Sequence, residues 1–211
     1  MRGSVHKLLR HRRYRAMPWR NGGGVTLEIA REPAAGEEFA WRLSLAQIEG
    51  SCDFSPYPGY RRAIVLIDGD ALGLRFRGHG GCSLSAGKRG TRFDGDWKTR
   101  CVLPQGPCTD LSLIVREGWA PPRSLVRAPK VLRVGSTRRL PLPKDLYAVL
   151  FVIDGSVAIT GSAASRARTL MPRDAYLLTP GEARTLTLRN RGKPPAQLAL
   201  LLWRPGRDRE R

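Results

Sequence analysis

The chain has 211 residues, 41% of them hydrophobic, and carries 37 Lys and Arg against 18 Asp and Glu for a net charge of +19. That length allows one large domain or two small ones, either able to bury roughly two thirds of its unfolded surface without a disulfide or metal staple. No apolar run approaches the ~18 residues that span a bilayer, so a helical membrane protein is excluded.

Residues 1–20 hold seven Arg or Lys and no acid, and the chain closes on "RPGRDRER". Phosphate neutralisation drives nucleic-acid binding, so a basic interaction or nucleic-acid module acting through these termini is one reading of the charge. Against it, 31 of the 37 cations are Arg scattered along the whole chain, without one long block and without interleaved stacking aromatics. The "VHKLL" that follows the basic start is too short for a secretory signal. Cys52, Cys82, Cys101 and Cys108 have no CxxC spacing and read as buried thiols of a reducing compartment. A cytoplasmic protein is expected.

Along the chain, alternation dominates. In "VTLEI", Val25, Leu27 and Ile29 share one face and Thr26 and Glu28 the other. In "FAWRLSLAQI", Phe39, Trp41, Leu43 and Leu45 oppose Arg42 and Ser44. Both segments are predicted strands. "RRAIVLIDGDALGLRF" and "LYAVLFVIDGSVAIT" each interrupt an apolar run with Asp-Gly, the signal of a hairpin in which Gly supplies a positive φ. The 23 Gly and 16 Pro break every candidate for a long helix, so the fold is expected to be all-β.

The two Asp-Gly turns, at Asp68 and Asp154, also begin a repeat. Downstream, Asp96 of "FDGDW" answers Asp174 of "MPRDAY", and "GPCTDLSL" aligns with "GEARTLTL". Two similar antiparallel units fit small barrels or jelly rolls. The expected division is an N-terminal unit over 1–117, a Pro- and Arg-rich linker over 118–144, and a C-terminal unit with a basic tail over 145–211.

Four ordered segments carry a family resemblance, "PWRNGGGVTLEI", "FAWRLSLAQI", "CDFSPYPGYRRAIVLIDG" and "FDGDW", followed by "TDLSLIVRE". Together they resemble the HutD/Ves family of bacterial proteins. The resemblance implies a cupin (RmlC-like) double-stranded β-helix, with two tandem barrels in one chain. It also implies a non-catalytic role in histidine utilisation or stress: binding a small acid such as formylglutamate or urocanate. Leu111 and Ser112 stand where the family usually has Phe and Asn, which points to a different ligand preference.

Metal-dependent cupins hold their ion through a His-x-His and Glu set with a later His. This chain has only His6, His11 and His79, none with a partner two residues on, so no metal and no other cofactor is expected. Without a usable His, Ser or Cys nucleophiles also lack their common activating base. A metal-independent degenerate cupin enzyme stays open as an alternative.

The glycine triplet of "RNGGGV" permits backbone angles and close approaches closed to other residues. Arg20 and Asn21, with Gly22 and Gly23 beside them, are candidates for one edge of a ligand site. Arg42 and Ser44 on the next strand, Arg62, and Asp110 with Ser112 complete the candidate set. Arg forks take carboxylates in bidentate geometry, while Asn and Ser orient the ligand, so the expected partner is a small acidic molecule. Read singly, each of these residues fits equally a solvent-facing position, and Glu28 with Arg42 fits a cross-strand ion pair; the resemblance at the same positions favours the pocket. A homo-oligomer is compatible with all of this.

Overall fold

The computed structural model describes residues 6–33, 35–36, 38–119, 126–161, 164–181 and 184–206. Among them the regular elements are β-strands, apart from one 3-10 turn at His11–Arg13. Among the described residues no helix is long and apolar enough to cross a membrane. The chain divides into two compact units, a first built on Tyr14–Pro121 and a second built on Pro122–Pro205 together with Met1–Arg13.

In chain order, β1 (His6–Leu9) precedes the first unit, which contains β2 (Arg15–Pro18), β3 (Gly24–Glu32), β4 (Trp41–Ile48), β5 (Tyr60–Asp68), β6 (Ala71–Phe76), β7 (Gly80–Ser85), β8 (Thr91–Asp94), β9 (Thr99–Val102) and β10 (Cys108–Arg116). They form a six-stranded sheet in the order β2-β3-β4-β10-β5-β8 and a three-stranded sheet β7-β6-β9, antiparallel throughout. Ala46, Ile48, Ile64 and Leu66 of the large sheet share one apolar cluster with Leu72, Leu74, Leu84 and Cys101 of the small one. The intervening residues Leu43, Leu45, Ala63, Val65, Leu111 and Leu113 are buried too. A strand dry on both faces loses its alternation, which is why "AIVLI" reads as an unbroken apolar run. All four cysteines are free.

The second unit adds β11 (Val126–Leu132), β12 (Thr137–Leu142), β13 (Tyr147–Asp154), β14 (Val157–Gly161), β15 (Ala164–Leu170), β16 (Ala175–Leu178), β17 (Arg184–Arg189) and β18 (Ala196–Trp203). Its sheets run β1-β16-β13-β18-β11 and β12-β17-β14-β15, around a core that includes Leu150, Val152, Ile159, Leu178, Leu188 and Leu198.

Two expected boundaries shift. The N-terminal segment belongs with the second unit: His6–Leu9 pairs antiparallel with Leu178–Ala175. Arg10 donates to the buried Asp174 carboxylate at 2.7 Å, and the His11 and Met171 amides donate to the same group at 2.9 and 3.0 Å. The stretch expected as a linker contributes β11 and β12. Each is the edge of its sheet, where a proline removes no ladder hydrogen bond that the sheet needs, and each contains one, Pro129 and Pro141. Proline content made two edge strands look like linker. Residues 1–5, 120–125 and 207–211, including most of the basic tail, lie outside the described residues.

The repeat is real in topology, but only one of its three sequence anchors is placed correctly. β5 pairs with β8 and β10 as β13 pairs with β16 and β18, and β6 pairs with β7 and β9 as β14 pairs with β15 and β17. The hairpins expected at the Asp-Gly turns do not form, because each turn carries the chain from one sheet to the other. The Asp-Gly turns match closely: the Asp68 and Asp154 carboxylates accept from the next residue's amide at 3.0 and 2.7 Å, and Gly69 and Gly155 have φ of 92° and 72°. A Cβ on Gly69 would meet the Cys108 Cα at 2.9 Å, and one on Gly155 the Ala196 Cα at 2.8 Å, at the first residues of β10 and β18. "GPCTDLSL" therefore corresponds to β18, whereas "GEARTLTL" is β17, the counterpart of β9. Asp96 follows β8 while Asp174 precedes β16, so these two are not equivalents.

Candidate functional site

Cross-strand partners in an antiparallel sheet point to the same face, so register decides which side chains meet. In the large sheet of the first unit, Arg42 of β4 opposes Ile114 of β10, which opposes Arg62 of β5. One step along, Ser44 opposes Ser112, and one further, Ala46 opposes Asp110. The polar face of β4 is thus continued by polar residues on β10 and β5. These residues line a cavity of about 510 Å³, together with Thr26, Trp19, Asp53, Phe54, Ser55, Tyr57 and the β2 end.

The polar groups in this cavity are deeply placed: Asp110 is 1% exposed, Ser44 3%, Ser112 5% and Arg62 8%. Several lack protein partners. Among the described residues, neither Asp110 oxygen, nor the Ser112 hydroxyl, nor Nε of Arg42 or Arg62 makes a hydrogen bond. Leaving such groups unsatisfied costs roughly 1–3 kcal/mol each, more when charged. These groups belong to four residues, Arg42, Arg62, Asp110 and Ser112, that line one cavity.

Both guanidinium groups are held by aromatic faces. Arg42 lies 5.1 Å from the ring centres of Phe39 and Tyr57 and donates to the Tyr57 hydroxyl at 2.8 Å. Arg62 lies 5.0 Å from Phe54 and Phe93 and 5.5 Å from Tyr57, and donates to the Ser55 carbonyl at 3.3 Å. Stacking fixes the plane of each fork. Burial lowers the Arg62 pKa to about 10, an effect opposed by Asp110 and Tyr57, so Arg62 remains cationic at neutral pH. Burial pushes the Asp110 carboxyl up to about 7, and the attraction of Arg62 only partly offsets it.

Of the residues singled out in the sequence, Arg20, Asn21, Arg42, Ser44, Arg62, Asp110 and Ser112 all line this cavity. Gly22 and Gly23 do not; they form the β2–β3 turn. The Gly22 amide donates to the Trp19 carbonyl at 3.0 Å, Gly22 has a φ of 68°, and the Asn21 side-chain oxygen accepts from the Gly23 amide at 3.0 Å. Asn21 therefore spends its carbonyl on its own turn, and both Arg20 and Asn21 are exposed at the cavity edge. Gly24 allows the closest approach, since a Cβ there would stand 2.3 Å from the Gln47 carbonyl oxygen. The ion pair considered between Glu28 and Arg42 does not form: register places Glu28 opposite Ser44, and Arg42 turns to Tyr57. Tyr57, Phe54 and Ser55 were legible only as loop residues, yet they supply the wall that orients both arginines. The alternation of aromatics with "SPYPG" carries no period that would have revealed this.

A divalent cation of the kind found in metal-dependent cupins does not fit these residues. The cavity presents one buried carboxylate beside two guanidinium groups and no imidazole. Among the described residues no three His, Cys, Asp or Glu side chains come together. His6 stacks on Tyr176 at 6.2 Å and His79 on Trp97 at 4.2 Å, both as ring contacts away from the cavity.

The HutD family model matches residues 11–194. A Pseudomonas putida protein, described as an uncharacterized 21.2 kDa protein in the hutC 3′ region, is 39% identical over 122 residues, or 57% of this chain and 62% of that protein. Protein Ves of Citrobacter koseri is 37% identical over 106 residues, 48% of this chain and 55% of that protein. The matched region thus spans less than two thirds of the length of either relative. Among solved structures, a conserved protein of unknown function from Pseudomonas aeruginosa PAO1 is similar with a TM-score of 0.78 at 31% identity, covering 94% of this chain and 98% of that one. HutD from Pseudomonas fluorescens SBW25, described in a formate condition, has a TM-score of 0.71 at 26% identity, covering 96% and 100%. Oxalate decarboxylase from Lactobacillus farciminis, at 9% identity and a TM-score of 0.67 over 96% of this chain and 86% of that one, shares the fold alone.

Proposed function

Because the chain belongs to the HutD family, we propose that it is a non-catalytic cytoplasmic receptor for a small carboxylated metabolite, held in the cavity of the first unit. In this reading each unit is a double-stranded β-helix of the cupin type, two in tandem, and only the first keeps a polar interior. The observation that carries the proposal is the convergence on one cavity of Arg42 and Arg62, each with an unpaired Nε–H, and of the unpaired Asp110 carboxyl and Ser112 hydroxyl. A ligand carboxylate bridging the two guanidinium edges would satisfy both Nε–H groups, and the Ser112 hydroxyl would donate to it or to a neighbouring polar atom. Asp110, protonated below about pH 7, would donate to the same ligand; ionised, it would accept from a ligand N–H.

Formylglutamate and urocanate are the acids to test first, with formate as the smallest carboxylate probe. Calorimetric titration should give one saturable site per chain for at least one of them. Arg62→Ala and Arg42→Ala should each weaken that affinity at least tenfold, the loss of one charge-assisted contact of about 1.5–3 kcal/mol. Unchanged affinity in both variants would remove the cavity from the function.

A further inference from the structure

The second unit holds a cavity of its own, of about 270 Å³, and its chemistry is the reverse of the first. Counted from the Asp-Gly turn, Leu198 and Leu200 of β18 occupy the register positions of Asp110 and Ser112. Asp68 opposes Thr109 and Asp154 opposes Gln197; Leu66 then opposes Asp110 and Val152 opposes Leu198; Ile64 opposes Ser112 and Leu150 opposes Leu200. Where the first unit carries an acid and a hydroxyl, the second carries two leucines. The floor is completed by Leu132, Leu140, Leu150 and Leu188.

The mouth, by contrast, is cationic. Lys130, Arg138 and Arg139 line the cavity and are exposed, and among the described residues none makes an ion pair. Val131, 62% exposed, stands beside them as one of the few large apolar side chains left in solvent. Lys130 and Arg138 face inward by register, opposite Leu198 and Leu188. Three cations of one sign around an apolar hollow favour a ligand with an anionic head and an apolar body. The space equals that of about nine water molecules, at roughly 30 Å³ each, which suits a medium-length acyl chain.

We infer that the second unit is a separate binding site for an amphipathic monoanion, a medium-chain carboxylate whose chain lies on the β18 leucines and whose head meets Lys130, Arg138 and Arg139. This site stands on its own residues and does not depend on the ligand of the first unit. Fatty carboxylates from hexanoate to decanoate, titrated calorimetrically below their micellar concentrations, test it. Affinity should rise about fourfold for each added methylene until the chain fills the cavity. The double variant Arg138→Ala, Arg139→Ala, altered only at exposed positions, should weaken octanoate at least tenfold and leave neutral 1-octanol unchanged. Leu200→Trp should abolish both by filling the floor, and Arg62→Ala, altered in the other cavity, should leave octanoate binding intact. The inference is overturned by absence of saturable octanoate binding, by affinity independent of chain length, by a double variant that binds octanoate as before, or by loss of octanoate binding in Arg62→Ala.

Discussion

Asp110 is the residue whose chemistry depends most on its surroundings. Its carboxyl is raised from 3.8 to about 7 because desolvation outweighs the attraction of Arg62. A carboxyl that holds its proton more tightly in the folded state contributes stability that is complete below pH 4 and is lost as pH rises through 7. The extreme value of that loss is roughly 4 kcal/mol. Asp110→Asn, a neutral side chain of the same shape, should remove this slope: urea denaturation at pH 5 and pH 8 should differ more for the wild-type protein than for the variant. If the proposed function holds, the same group should also set ligand affinity. A carboxylate ligand is already ionised over pH 5–8, so ionising Asp110 beside it adds repulsion, and affinity should fall as pH rises through 7. In Asp110→Asn the profile should be flat; a profile that kept its inflection would place the titrating group elsewhere.

At the scale of elements, the glycines after Asn21 divide their work between a turn and a close approach. Gly22 sits at positive φ with open space around it, whereas Gly24 stands against the Gln47 carbonyl where β3 and β4 meet. Gly22→Ala should therefore cost about 1–2 kcal/mol from backbone conformation alone. Gly24→Ala, which must push two strands apart, should cost about 1–3 kcal/mol and also disturb Trp19, whose indole donates to Thr26 at 2.8 Å on the cavity wall. Thermal denaturation separates the two from wild type, and carboxylate titration separates them from each other: Gly24→Ala should lose affinity as well as stability. The paired Asp-Gly turns follow the same logic in both units, where a Cβ would meet both a positive φ and the backbone of the last strand.

For the whole molecule, the connection that matters runs from the first residues to the second unit. β1 gives β16 its outer partner, and Asp174 binds Arg10, the His11 amide and the Met171 amide at once. Its side chain is 4% exposed, so removing it takes a desolvated acceptor away from three part-buried hydrogen bonds. Asp174→Ala should cost about 2 kcal/mol or more, and deletion of residues 1–10 should strip hydrogen-exchange protection from Ala175–Leu178 while leaving β4 and β10 of the first unit protected. Equal loss in both units would mean that the N-terminal strand stabilises the chain by some other route. The net charge of +19 is a property of the whole chain, with Arg spread over both units.

Period-two alternation and the Asp-Gly pairs determined, from sequence alone, that the fold is all-β, that tight turns fall at Asp68 and Asp154, and that Arg42 and Ser44 share a face. These are local matters: side-chain direction follows from strand geometry, and a positive φ favours glycine wherever it occurs. That each turn joins two different sheets and closes no hairpin was not legible. Which face of β4 is hollow was not local, because Trp41, Leu43 and Leu45 on its other side are buried as well, and apolar character could not say which buried face encloses space. The same holds for β1 and for the Pro-bearing strands β11 and β12, whose partners lie far along the chain. Tyr57 and Phe54 became the braces of two arginines only when the loop before β5 closed over the sheet. Register between distant strands is decided by the total packing of a core, and it was this that gathered scattered guanidinium, carboxyl and hydroxyl groups around one cavity.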